Sequence, residues 1–102
     1  MAKDLAEDGW RGFLEVCAKI KTPEDLDHFF SLFLTIEEQE ALAARFLIVQ
    51  ALVEGRLTQR KIAEVYQVSI AQITRGSNAL KIIDAKLKKF LETQAKRRGG
   101  KV

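Results

Sequence analysis

The sequence predicts one small all-α domain. Its 102 residues include only one Pro and six Gly, and 47% of them are hydrophobic. Few helix breakers, together with much Ala, Leu, Glu, Lys and Gln, are typical of helical domains and not of β-sandwiches. Apolar residues also recur at helical spacing. A domain of about 100 residues buries only about two-thirds of its chain surface, so a partner chain would usefully enlarge the core.

Two helices are predicted over residues 4–21 and 23–34. Between them, Thr22 is a predicted N-cap, and Pro23 takes the first helical position, where its missing N–H is no loss. Each helix has one wide apolar face. The faces consist of Leu5, Trp10, Phe13, Leu14, Cys17, Ala18 and Ile20 in the first helix, and of Leu26, Phe29, Phe30, Phe33 and Leu34 in the second.

A third helix is predicted over residues 36–54. Thr35 and Glu38 form a predicted capping box at its start, because each side chain can satisfy the backbone N–H of the other residue. Gly55 is a suitable residue to end the helix. Its apolar residues include Ala41, Leu42, Ile48, Val49, Leu52 and Val53.

Two short helices then predict a helix-turn-helix. Thr58 caps a helix over residues 59–65, and Ser69 with Gln72 forms a capping box at the start of a helix that ends near Asn78. Only three residues separate the two helices. The side chains spaced to fill the interior are Ile62, Val65, Val68 and Ile73, with the small Ala63 allowing close approach.

A last helix is predicted from residue 83 or 84 to residue 95, with Leu87, Phe90 and Leu91 buried. Residues 96–102 form a predicted basic flexible tail. From composition we favour a solubilising end over an arm that contacts phosphates.

Charge is unevenly distributed along the chain. Residues 1–40 carry ten Asp and Glu against four Lys and Arg, whereas residues 41–81 carry two against six and residues 82–102 carry two against seven. The basic part of the chain can therefore meet a polyanion, which the acidic part would repel.

Several classes of function are excluded. Cys17 is the only cysteine, so no internal disulfide forms, and with His28 as the only histidine it cannot complete a zinc site. We expect no metal site and a reducing compartment, the cytoplasm. No secretory signal is expected from the charged first residues, and no apolar run is long enough to span a bilayer. No nucleophile with a positioned base is evident, so an enzyme is not expected.

The second helix of the helix-turn-helix indicates DNA binding. Its short polar and Arg side chains suit base edges and phosphates, whereas a merely solvated helix more often carries Glu and Lys. The alternative is an ordinary helical hairpin. The turn of a helix-turn-helix commonly contains Gly, whereas this chain has Gln67 there. The polar residues are Ser69, Gln72, Thr74, Arg75, Ser77 and Asn78.

Separate motifs in the same order resemble the tryptophan repressor family. They cover about residues 32–81 well and the ends loosely. The motifs are LFLT at 32–35, EALAAR at 40–45, IV at 48–49, EG at 54–55, LTQR at 57–60 and ITRGSNALK at 73–81.

The resemblance implies a six-helix chain that forms an intertwined homodimer with a helix-turn-helix DNA-binding motif. Within one domain, residues 1–55 and 82–95 supply dimerisation helices and residues 56–81 the helix-turn-helix. The implied function is a cytoplasmic repressor of tryptophan biosynthesis or uptake genes. Free L-tryptophan is its corepressor, and palindromic double-stranded operator DNA is its partner. The apolar faces of the first three helices agree with dimerisation, although they could also pack within a monomer.

The resemblance also implies a ligand site between subunits. Arg45 of one subunit and Arg75 of the other flank the indole ring, because a guanidinium plane lies well over an indole face. Arg75 also reaches the carboxylate of the ligand, and Gly76 leaves room beside the ring. Without the resemblance, we would favour a salt bridge with Glu37 or Glu38 for Arg45 and a phosphate contact for Arg75. The implied set is Arg45, Arg75, Gly76, Gln72 and Ala79, with the backbone carbonyls of Leu32, Leu34 and Thr35 for the ammonium group.

The implied DNA contacts lie on the two short helices. Phosphate contacts are assigned to Gln59, Arg60 and Lys81, and groove contacts to the start of the second helix. Bound ligand would wedge the paired helices outward until they are one DNA turn apart, about 34–36 Å. The full set is Gln59, Arg60, Ser69, Ile70, Ala71, Gln72, Thr74 and Lys81.

The chain departs from the family pattern at three positions. Gln72 stands where many members have Thr, Ala79 where several have Ser, and Ala63 where some have Lys. Loss of the hydroxyl at Ala79 removes at most one hydrogen bond, about 0.5–1.5 kcal/mol net. An indole compound without the full amino-acid end is therefore a conceivable ligand.

Two other classes compete with this interpretation. The first is a helix-turn-helix module without an amino-acid ligand, similar to the origin-binding domain of replication initiators or to an orphan regulator. Arg45 together with Arg75 and Gly76 favours the repressor. The second is a helical interaction protein that binds through Phe29, Phe30 and Phe33, but such an aromatic stripe is more often core.

Overall fold

The structure, a computed structural model, describes residues 3–99. Its helices confirm the predicted all-α class, and this range contains no strand. The six helices are α1 (Lys3–Lys19), α2 (Pro23–Ser31), α3 (Ile36–Glu54), α4 (Gln59–Tyr66), α5 (Ile70–Ile82) and α6 (Ala85–Gly99).

The predicted boundaries of α3 are confirmed, and Gly55 follows it with a φ of 70° and donates its N–H to Ala51. The predicted end of α2 at residue 34 is wrong. After Ser31 the α-helix gives way to a tighter turn, in which the N–H groups of Leu32 and Phe33 donate to carbonyls three residues back, at 3.2 and 2.9 Å.

The predicted ends of α5 and α6 are also wrong. No Gly or Pro lies between residues 78 and 83, so α5 continues to Ile82 and stops where Ile83 becomes extended. Asp84 then caps α6 by accepting the N–H of Leu87 at 2.7 Å. Residues 96–99 of the predicted tail belong to α6, and residues 100–102 lie outside the described range.

The chain divides after Ile36 into two compact units. In the first unit, an aromatic cluster joins α1 to α2. The ring of Phe13 lies 5.6 Å from Trp10, 5.5 Å from Phe29, 5.9 Å from Phe30 and 5.6 Å from Phe33, centroid to centroid. The rings therefore contact one another, but no residue of α2 is buried and Phe33 is 56% exposed, so the predicted inward position of Phe33 is wrong for one chain.

In the second unit, α3, α4 and α5 share one small core. Leu52, Ala63, Tyr66 and Val68 pack against its buried residues. These buried residues are Ile48, Ala51, Ile62 and Ile73.

Several apolar side chains that the sequence predicts as buried are exposed in the single chain. In α6, Leu87 is 44% and Phe90 57% exposed, so the predicted burial of these two residues is wrong for one chain. The helix α3 leaves apolar residues uncovered as well. The exposed apolar residues of α3 and α6 are Ile36, Leu42, Phe46, Leu47, Leu87 and Phe90.

Candidate nucleic-acid interface and ligand site

Both short helices begin at a capped N-terminus, as predicted. The Thr58 hydroxyl accepts the N–H of Lys61 at 3.1 Å. At the start of α5, the Ser69 hydroxyl accepts the N–H of Gln72 at 3.1 Å, and the Gln72 side chain accepts the N–H of Ser69 at 2.9 Å. The reciprocal pair satisfies two N–H groups that a helix start leaves unpaired, so it fixes where α5 begins.

The turn between α4 and α5 reverses at Gln67. This residue has φ 54° and ψ 48°, the left-handed conformation that usually requires Gly. The N–H groups of Gln67 and Val68 both point back to the carbonyl of Ala63. The turn therefore has helix-turn-helix geometry in spite of its missing Gly.

The interior of the helix-turn-helix differs from the prediction at one position. Ile62 and Ile73 are fully buried, and Ala63 and Val68 pack against them, as predicted. Val65 is 52% exposed, so its predicted place in the interior is wrong. Tyr66 packs there instead. The sequence signal for this exchange is the four-residue spacing from Ile62 to Tyr66, which keeps both on one side of α4.

Every residue predicted to contact DNA is exposed. Gln59 and Arg60 lie in the first turn of α4, and Lys81 lies in the last turn of α5. The others surround the start of α5, where a recognition helix meets base edges. They are Ser69, Ile70, Ala71, Gln72 and Thr74.

The two arginines predicted to hold the ligand stand on neighbouring helices of the second unit. Arg45 is exposed on α3 and Arg75 is exposed on α5. Neither has an ion-pair partner within residues 3–99, so the salt bridge considered for Arg45 is not formed. Both guanidinium groups are therefore available to other partners.

The helices α3 and α5 approach closely beside Arg75. A Cβ atom on Gly76 would lie 3.1 Å from Cγ2 of Ile48 and 3.5 Å from Cδ1 of Leu52. The absence of a side chain at Gly76 thus has a packing reason inside this chain, which no local sequence pattern indicates. The space beside Gly76 on this side is filled by α3. Its predicted place beside a ligand stays a prediction.

The remaining predicted ligand residues are divided between the units. Ala79 is exposed on α5, whereas Leu32, Leu34 and Thr35 follow α2 in the first unit. No N–H within residues 3–99 donates to the carbonyl oxygens of Leu32 and Leu34. These oxygens suit the acceptor role predicted for them. That they meet the arginines stays a prediction.

Three cavities lie along α3 and α6. The largest, about 620 Å³, is lined by Arg56, Lys89 and Lys96 among others, and a second of about 310 Å³ by Lys81 and Lys88. A third, of about 250 Å³, is mainly apolar. Neither Arg45 nor Arg75 lines any of them. The predicted ligand pocket is thus not one of these cavities of a single chain.

Residues 3–99 contain neither a metal-binding cluster nor a membrane-spanning helix. No group of three or more His, Cys, Asp and Glu is placed to hold a metal ion. No helix in this part of the chain is long and apolar enough to cross a membrane.

The chain is a helix-turn-helix protein. It has two capped helices joined by a tight turn with a left-handed residue, and the second helix has a polar exposed face. The family model for the Trp repressor protein matches residues 8–95. The chain therefore belongs to the Trp repressor family, and the predicted resemblance is confirmed.

Individual relatives agree with the family model, and each is named a Trp operon repressor homolog. The protein of Chlamydia caviae is 61% identical over 97% of this chain and 98% of its own length. That of Chlamydia trachomatis serovar D is 52% identical over 90% and 98%, and that of Vibrio cholerae 40% over 71% and 70%. Members of the family are DNA-binding regulators, so the prediction that this chain is not an enzyme is confirmed.

Proposed function

We propose that this protein is a tryptophan-responsive transcriptional repressor whose L-tryptophan corepressor binds between two subunits. One observation carries the proposal: the first turn of α5, which is capped and exposed, and Arg75 lie on the same helix. The chain also matches the repressor family over residues 8–95. The genes controlled are those of tryptophan biosynthesis or uptake.

The ligand site uses two guanidinium groups and three backbone carbonyls. Arg45 and Arg75, from opposite subunits, lie over the two faces of the indole ring, each contributing about 0.5–2 kcal/mol according to desolvation. The Arg75 guanidinium also donates to the ligand carboxylate. The carbonyls of Leu32, Leu34 and Thr35 accept from the ammonium group, because they follow a helix end where the dipole is negative.

A second copy of the chain is the partner that completes the core. The helix α3 carries many apolar side chains, and burial of apolar surface is stabilising. Yet Leu42 is 49% and Phe46 48% exposed. Phe46 and Phe90 also line the apolar 250 Å³ cavity between α3 and α6. The exposure of these side chains in one chain supports a homodimer in which the equivalent helices of a partner cover them.

Ligand binding acts on DNA binding through the position of α5. Arg75 stands on α5 itself, so a ring inserted beside this arginine acts directly on the recognition helix. The bound ligand thereby favours the spacing of about 34–36 Å between two recognition helices that one DNA turn requires. Linkage then demands that operator DNA tightens ligand binding by the same factor.

The proposal is tested by isothermal titration of the full-length protein with L-tryptophan, with and without a DNA duplex selected from a random library. We expect binding that tightens with DNA. Arg75→Lys keeps the charge but loses the planar stacking surface, and should weaken ligand binding about 2–30-fold. Arg56→Lys is the matched control, because Arg56 pairs with Glu54 at 3.2 Å and lies outside the proposed site.

Two results would contradict the proposal in different ways. Equal ligand affinity with and without DNA would refute the coupling. Selection of DNA without any tryptophan binding would instead identify a helix-turn-helix regulator that takes no amino acid, the alternative to which Ala79 lends some support.

A further inference from the structure

The oxygen and the NH₂ group of the Gln72 side-chain amide differ in their hydrogen bonding. Its Oε1 atom accepts two hydrogen bonds, from the N–H of Ser69 at 2.9 Å and from the hydroxyl of Ser69 at 3.2 Å. Because a backbone N–H can only donate, the atom facing it must be the oxygen, which fixes the orientation of the amide. The NH₂ group donates to no acceptor within residues 3–99, and the residue is exposed.

An amide oxygen has two lone pairs, and Ser69 occupies both. A glutamine that recognises adenine in the major groove needs both ends of its amide, because it accepts from N6 and donates to N7. Gln72 cannot do this without leaving the capping box. While the box is closed, its outward chemistry is that of two N–H donors.

We infer that Gln72 determines base specificity as a donor only, so that it selects guanine in the operator. Guanine presents two neighbouring acceptors, N7 and O6, in the major groove, whereas adenine places a donor beside its N7. The inference rests on the proposed function, because α5 must enter the groove. The capping box thus has two effects. It fixes the start of the recognition helix, and it occupies the Oε1 acceptor of Gln72 so that only the NH₂ group can contact a base.

The substitution Gln72→Glu separates these two effects. One carboxylate oxygen keeps the capping box, for which Glu is a standard residue, and a negative charge near a helix N-terminus is favourable. The other oxygen turns the outward group from donor into acceptor, which suits the amino group of cytosine. Gln39→Glu on α3 is the charge-matched control, since it lies outside the DNA and ligand sets.

The experiment selects duplexes from a random library with the full-length protein and L-tryptophan, followed by affinity measurements on the enriched sites. We expect guanine at one position of each half-site for the native protein and for Gln39→Glu. With Gln72→Glu, guanine should lose about tenfold in affinity relative to cytosine at that position. The thermal midpoint of Gln72→Glu should equal or exceed that of the native protein, which shows that the cap is kept.

Adenine at the position that responds to Gln72→Glu would overturn the inference, because it would show that the amide leaves the box and reads with both ends. Identical base preferences for the native protein and Gln72→Glu would also overturn it. Enrichment of no sequence at all by the native protein would overturn the proposed function itself, and the inference with it.

Discussion

Gly76 of α5 faces Ile48 of α3 so closely that a Cβ atom at position 76 would lie 3.1 Å from Cγ2 of Ile48. This contact joins the recognition helix to the longest helix of the second unit. Because Ile48 is 1% exposed, it has little room to move away. The separation of α3 and α5 is therefore set at this point.

The first prediction compares two Gly→Ala substitutions inside helices. Gly12→Ala adds its methyl group in open space and should raise the free energy of unfolding by about 1 kcal/mol through helix propensity. Gly76→Ala should fall short of this gain by about 1–3 kcal/mol, because its methyl group overpacks the contact with Ile48. Denaturant unfolding at equal protein concentration measures both, and equal gains would contradict the tight contact.

The second prediction concerns the left-handed turn residue. Gln67→Gly should stabilise the protein by about 0.5–1 kcal/mol, because Gly adopts a positive φ without the steric cost that Gln bears there. The thermal midpoint should rise by about 2–8 °C. As a control, Gln39→Gly within α3 should lower stability by about 1 kcal/mol. A loss of stability in both variants would show that Gln67 is not strained.

The third prediction addresses the hydroxyl that Ala79 lacks. Ala79→Ser should tighten L-tryptophan binding about 2–10-fold by adding one hydrogen bond to the polar end of the ligand. Indole, which lacks that end, should bind the native protein and the variant equally in the same titration. Ala71→Ser, on the same helix, is the matched control. A similar gain for indole would place the hydroxyl away from the amino-acid end.

The fourth prediction tests the electrostatic part of DNA binding. Arg60→Ala should weaken binding to all DNA sequences alike and lower the salt dependence of binding by about one phosphate contact per subunit. Arg11→Ala removes the same charge from the acidic part of the chain and should change neither quantity. Binding curves at several salt concentrations decide the matter. A loss confined to one operator would instead assign Arg60 to base recognition.

The fifth prediction concerns the second copy. Phe90→Asp places a charge on an apolar residue that is 57% exposed in one chain, so it should shift a dimer to monomers in sedimentation equilibrium. Val65→Asp, at a similarly exposed residue of α4, should leave the dimer intact. Circular dichroism shows whether each variant keeps its helices. A dimer that survives Phe90→Asp would place the interface elsewhere.

Local signals were sufficient for most elements. The caps at Thr22, Thr58 and Ser69 are formed as predicted. Each hydroxyl oxygen accepts a backbone N–H three residues further on, so the cap involves only residues within one turn. The end of α3 at Gly55 follows from one residue's backbone freedom. The ends of α2 and α5 were not predictable in this way, since no residue type marks them.

The amino-acid sequence by itself determined the helical class, the helix-turn-helix and the caps of its two helices, because periodicity and capping are local properties. Only the tertiary structure decided that Tyr66 and not Val65 enters the interior, that Gly76 faces Ile48, and that the acceptor of Gln72 is occupied by Ser69. These facts depend on contacts between atoms of different turns and helices. The spacing of residues along the chain does not determine which of these atoms come into contact.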